Sequence, residues 1–187
     1  MDAALHLLPA VDPVIAHAAA ACVGALMLIA AVEKWRDLAT FRDALDNYRL
    51  LPAAAVPAFA LALPLLEALA GALLLPLATR QLGAALALAL WLTYTAAIAI
   101  NLLRGRDRID CGCGGAAHTP LGAGLLLRNA VLMALALLAA APLHERGLVW
   151  LDGFAVAFAT LFGLGLYALA NTMLSHQSRL LDLRNSP

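Results

Sequence analysis

Five long apolar blocks decide what this chain can fold into. They cover approximately residues 14–32, 53–78, 82–103, 121–141 and 149–174 of 187. Each reaches the roughly 20 residues that carry a helix across the hydrocarbon core of a bilayer. A helix satisfies its own backbone hydrogen bonds, which lipid cannot do, so such blocks cross as helices. No useful stretch alternates apolar and polar residues as a strand would. The chain is 64% hydrophobic and 13% charged, where a soluble domain runs near half and a quarter. The expected fold is all-α: a polytopic membrane helix bundle of about five transmembrane helices, four in a core plus one, forming a single integral membrane domain over 1–187. Residues 1–13 hold no Lys or Arg. A secretory signal needs a basic start, so the first block is expected to remain as a span. The formal net charge is zero, which gives no global field to attract nucleic acid.

The polar connection over 33–52 carries Leu38, Phe41, Leu45, Tyr48 and Leu51 three or four apart, with Arg36, Asp37, Arg42, Asp43, Asp46 and Asn47 largely elsewhere. That pattern predicts an amphipathic helix on the membrane surface or capping the bundle. Five spans put this connection, the third loop and the C-terminal tail on one side. They carry Lys34, Arg36, Arg42, Arg49, Arg104, Arg106, Arg108, Arg179 and Arg184, with Arg128 just inside the fourth span; the other side has Arg80 and Arg146. The positive-inside rule places the third loop in the cytoplasm.

Two features carry chemistry. Glu67 and Arg128 lie inside spans two and four. Ionisable residues in a membrane face the bundle interior and pair. They are expected to share a polar cluster with Asn101, Asn129 and Tyr94, acting as structural glue or as a proton-handling or binding site. The third loop reads Asp110-Cys111-Gly112-Cys113-Gly114-Gly115, preceded by Arg106 and Arg108. A Cys-Gly-Cys disulfide closes a small strained ring, and strained disulfides suit exchange. The glycines admit a partner and unusual backbone angles, and the arginines favour thiolate. Cys111 and Cys113 are thus candidate redox residues, with Asp110, Gly112, Gly114, Gly115, Arg106 and Arg108 as the supporting loop. Two thiolates with His118 also suit a metal, and free thiols in a turn remain the plain alternative. Cys22, deep in the first span, suits packing, with a relay to the loop as its sharper role. No dinucleotide fingerprint, P-loop or triad motif is present, so no cofactor is expected.

In these residues the chain resembles the MauE family of methylamine utilisation proteins, within a broader group of DoxX-like membrane proteins. The resemblance covers roughly residues 14–145. It rests on Glu33-Lys34 with Asp37 and Phe41, Tyr48-Arg49-Leu50-Leu51-Pro52, Pro64-x-x-Glu67-x-x-x-Gly71, Asn101-x-x-Arg104-Gly105, Ile109 through Gly115, and Arg128-Asn129. It implies an accessory protein of the bacterial inner membrane. Its implied task is processing, transport or disulfide formation of the periplasmic methylamine dehydrogenase β subunit, beside a thioredoxin-like MauD-type protein. That subunit is dense in disulfides and bears tryptophan tryptophylquinone. A membrane thiol–disulfide oxidoreductase and a non-catalytic assembly scaffold both fit. A small transporter or metal-handling protein using Glu67 and Arg128 is the reading from another class. Disulfide formation in a periplasmic substrate calls for periplasmic thiols, whereas the charge rule puts the loop in the cytoplasm.

Overall fold

A computed structural model describes residues 10–106, 109, 111–112 and 121–185, with side chains as far as residue 176. Six helices follow in order: α1 (Pro13–Arg36), α2 (Leu38–Tyr48), α3 (Val56–Leu74), α4 (Arg80–Leu103), α5 (Ala123–Ala140) and α6 (Trp150–Asn185). Five of these, all but α2, are long and apolar enough to cross a membrane. Among the described residues β pairing is confined to an isolated bridge between Val11 and Leu143. The all-α membrane bundle expected from the apolar blocks is therefore observed.

The helices start and stop where local chemistry dictates. Asp12 caps α1, its carboxylate accepting from the Val14 amide at 2.8 Å, and Pro13 opens the first turn, where its missing N–H costs nothing. Asp37 both ends α1 and caps α2 by accepting from the Thr40 amide. Arg49, left-handed at φ 49°, closes α2. Pro64 lies inside α3, where neighbouring helices can satisfy the freed carbonyl. The last helix passes the expected end of its apolar block, because residues 175–185 contain helix formers and neither Gly nor Pro.

Four helices close a ring: α1 packs on α3, α3 on α4, α4 on α5 and α5 back on α1. Small residues let the backbones approach, which is what membrane helices use in place of a hydrophobic driving force. Ala19, Ala20, Ala60, Ala70, Ala84, Ala87, Ala136 and Ala139 fill the core. At the α1–α3 crossing a Cβ on Gly71 would lie 2.8 Å from the Gly24 carbonyl oxygen. At the α3–α4 turn a Cβ on Gly83 would lie 2.6 Å from the Leu74 amide nitrogen.

The fifth span stands outside this ring. It leans on α1, where Gly163 leaves room for the Cys22 sulfur. Its other face, with Phe154, Phe158, Phe162 and Leu169, is exposed and suits lipid. At the end of the bundle where α1 begins, Arg146 bridges Asp12 at 2.8 Å and Asp152 at 3.0 Å. The Arg146 guanidinium holds the Asp12 carboxyl below its usual range. At the opposite end, α2 lies over the ring on α3. It caps the bundle, and its buried face is Phe41, Ala44 and Tyr48.

Candidate functional site

The buried face of α2 is the floor on which the third loop rests. Tyr48 donates its hydroxyl to the Cys111 carbonyl at 3.1 Å. Gly112 sits at φ +63° against Ala44, and a Cβ there would lie 2.8 Å from the Ala44 Cβ. Both the angle and the space demand glycine. Arg106 ties the two segments together, donating to the Asn47 carbonyl at 2.9 Å, the Tyr48 carbonyl at 3.3 Å and the Asn101 side chain at 3.2 Å. Cys111 is buried and disulfide-bonded. Cys22 is a free thiol, buried away from solvent. Asp110, Cys113, Gly114, Gly115, Arg108 and His118 lie outside the described residues.

Beneath Cys111 and Gly112 is a cavity of about 200 Å³. Its walls are largely apolar, with Met27, Leu63 and Trp91 among them, and α1 through α6 all contribute. Two polar clusters reach it from different sides.

The first is built on Glu67. It is not shared with Arg128 as the sequence leads one to expect: the cation that meets Glu67 is Lys34. Lys34 Nζ donates to both carboxylate oxygens at 2.9 Å, and Tyr94 donates its hydroxyl to Oε1 at 2.9 Å. Lys34 is 6% and Glu67 2% exposed. Lys34 Nζ also lies 5.4 Å from the centre of the Phe41 ring, within cation–π range. Side-chain direction explains why this pair forms across two helices. Measured from the Gly24–Gly71 crossing, at about 1.5 Å per residue, Lys34 stands about 15 Å up α1 and Glu67 about 6 Å up α3. Helical side chains lean toward their own N-terminus. The two helices are antiparallel, so Lys34 leans inward and Glu67 leans outward, and they meet.

The second cluster is built on Arg128. It donates to the side-chain oxygen of Asn129 at 3.2 Å and to that of Asn171 of α6 at 2.9 Å. Asn129 in turn donates to Thr95 at 3.1 Å. Arg128 therefore fastens α6 to the ring. Glu67, Tyr94, Arg128 and Asn129 line one cavity without an ion pair joining the two clusters. Asn101 belongs to neither, because it serves Arg106 and the Ala97 carbonyl.

Of the residues that line this cavity, Lys34, Glu67, Arg128 and Asn129 fall in the stretches that carry the family resemblance. The family model described as methylamine utilisation protein MauE matches residues 12–142. This chain belongs to the MauE family. It is 41% identical over 130 residues to the methylamine utilization protein MauE of Paracoccus denitrificans, covering 68% of this chain and 69% of that one. The MauE of Methylophilus methylotrophus is 39% identical over 141 residues, covering 73% and 74%. That of Paracoccus versutus is 40% identical over 134 residues, covering 71% and 72%. No solved structure gives a significant match. The MauE match ends before α6, so the ring, α2 and the loop form the shared part.

Proposed function

We propose that this chain is an inner-membrane accessory protein of methylamine utilisation that acts by thiol–disulfide exchange at Cys111 and Cys113. In this reading the two cysteines form a disulfide that a thioredoxin-like partner attacks. The exchange serves processing, transport or maturation of the methylamine dehydrogenase β subunit. The observation that carries the reading is Cys111 itself: disulfide-bonded, and clamped through its backbone to Tyr48. With Cys22 free, Cys113 is the remaining cysteine of the chain. A clamp on the backbone fixes the loop while leaving the sulfur chemistry to change state. Exchange requires attack by a thiolate on one sulfur, a mixed disulfide, and release of the other sulfur as thiolate. Gly112, at φ +63°, turns the backbone directly after Cys111.

The test is the double substitution Cys111→Ser and Cys113→Ser in a host growing on methylamine. Correctly bridged β subunit, measured by mass spectrometry under non-reducing conditions, is expected to be lost while the membrane level of the variant is maintained. Undiminished bridged subunit would make the protein a scaffold. The purified oxidised protein is also expected to oxidise about one equivalent of a reduced dithiol peptide, by the stoichiometry of exchange.

A further inference from the structure

An exchange that oxidises a partner leaves two electrons and two protons on the loop cysteines, and a second turnover needs an acceptor for them. The cavity under Cys111 has the character of a site for one. It abuts the disulfide-bonded residue, lies among the spans, and is walled by apolar and aromatic side chains. Phe59, one of its lining residues, is 44% exposed on the lipid-facing side of α3. The cavity wall at Phe59 is therefore continuous with the face that α3 turns to the bilayer. At about 200 Å³ the cavity is smaller than pockets that enclose a whole drug-sized ligand, so a ring can enter while a long tail stays in lipid. Its polar equipment is specific. Lys34 has three N–H donors and spends two on Glu67, leaving one for a carbonyl oxygen.

A lipid-soluble molecule with a planar ring, carbonyl acceptors and a two-electron couple is a quinone. We propose that the cavity binds the ring of a membrane quinone and that this quinone re-forms the Cys111 disulfide. The proposal rests on the exchange reading above. The two S–H bonds of Cys111 and Cys113 break and one S–S bond forms. Two electrons and two protons pass to the quinone, whose two carbonyl oxygens become the hydroxyls of the quinol. Lys34 holds one of those oxygens and stabilises the negative charge that develops on it during reduction. Glu67 and Tyr94 hold Lys34 in place.

The experiment uses the full chain in lipid nanodiscs and decylubiquinone, whose ring is fully substituted so that a thiol cannot add to it. Protein reduced with dithiothreitol and freed of the reductant is mixed with the quinone. Quinol formed and thiols lost are then counted. One quinol per protein with two thiols lost is expected. Ala97→Phe, which puts a ring into the cavity wall, is expected to slow the reaction at least tenfold. Should that variant fail to fold, Ala30→Phe fills the opposite wall and carries the same expectation. Binding of decylubiquinone to the oxidised protein, followed by quenching of Trp91 fluorescence, is expected to weaken by a similar factor in the filled variants. Reaction no faster than that of a free dithiol, or equal rates and binding in the filled variants, would overturn the proposal. One-equivalent oxidation of the dithiol peptide is measured on the same preparations. If it persists while quinone reduction and binding fail, the quinone site is wrong and the exchange reading stands. If it fails while quinone still binds, the exchange reading is wrong.

Discussion

Taking an ammonium and a carboxylate out of water costs several kcal/mol per ion, and only close pairing offsets it. Lys34 and Glu67 pair through two hydrogen bonds of 2.9 Å at 6% and 2% exposure. Removing either partner strands the other charge. Lys34→Met is therefore expected to destabilise the protein by about 3–5 kcal/mol. Lys34→Met combined with Glu67→Leu should recover most of that loss, because no uncompensated ion remains. Thermal unfolding in detergent checks this, and a double variant no more stable than the single one would refute it. The same scale explains the two kinds of cysteine. Cys22 rests against Gly163 and does not line the cavity, so its contacts are those of packing. Cys111 has its backbone held by Tyr48 and belongs to the cavity roof.

Between elements, glycine sets how closely helices approach. A Cβ on Gly83 would meet three backbone atoms of α3, at 2.6, 2.8 and 3.0 Å, and backbone cannot rotate aside as a side chain can. Gly83→Val is expected to cost at least about 1–3 kcal/mol by overpacking, seen as a lowered midpoint of thermal unfolding. Gly153→Ala on the first turns of α6 meets nothing within 4 Å and serves as the neutral control. These contacts mark the boundary of what the sequence makes legible. Spans are legible because length and apolarity are local properties, and so is α2, whose apolar residues repeat at helical spacing. The loop cysteines stand out by their spacing. The partner of Glu67 does not, because it depends on how α1 and α3 cross and on which way each side chain leans. Lys34 sits near the end of α1, in a stretch that reads as a polar loop, and only packing turns it inward. Arg128 was identifiable as an interior cation, but its partner Asn171 is on α6, whose placement against the ring no periodicity specifies.

For the whole molecule, the packing sharpens the question of which way the chain crosses the membrane. Of the cations on the loop side, Lys34 is bound to Glu67, Arg106 to backbone carbonyls and Arg128 to asparagines. Arg36, Arg42, Arg49 and Arg104 remain exposed there. On the other side Arg80 is buried and Arg146 is held by Asp12 and Asp152. Removing the structurally engaged cations from the count leaves the charge asymmetry intact, so the loop side is expected to face the cytoplasm. A membrane-impermeant maleimide applied to intact spheroplasts should then label neither Cys111 nor Cys113, before or after reduction, and should label them after reduction once the membrane is permeabilised. Cys22, buried against α6, stays unlabelled in every condition. Labelling from outside after reduction would overturn this orientation and place the exchange directly on exported protein, whereas a cytoplasmic loop can serve the exported β subunit only by way of a partner. The expected orientation has a chemical consequence of its own. The cytoplasm keeps thiols reduced, and a disulfide there is transient and catalytic. Such a disulfide needs an oxidant that reaches it from outside the soluble thiol pool, which is the part proposed above for a quinone in the cavity that Cys111 lines.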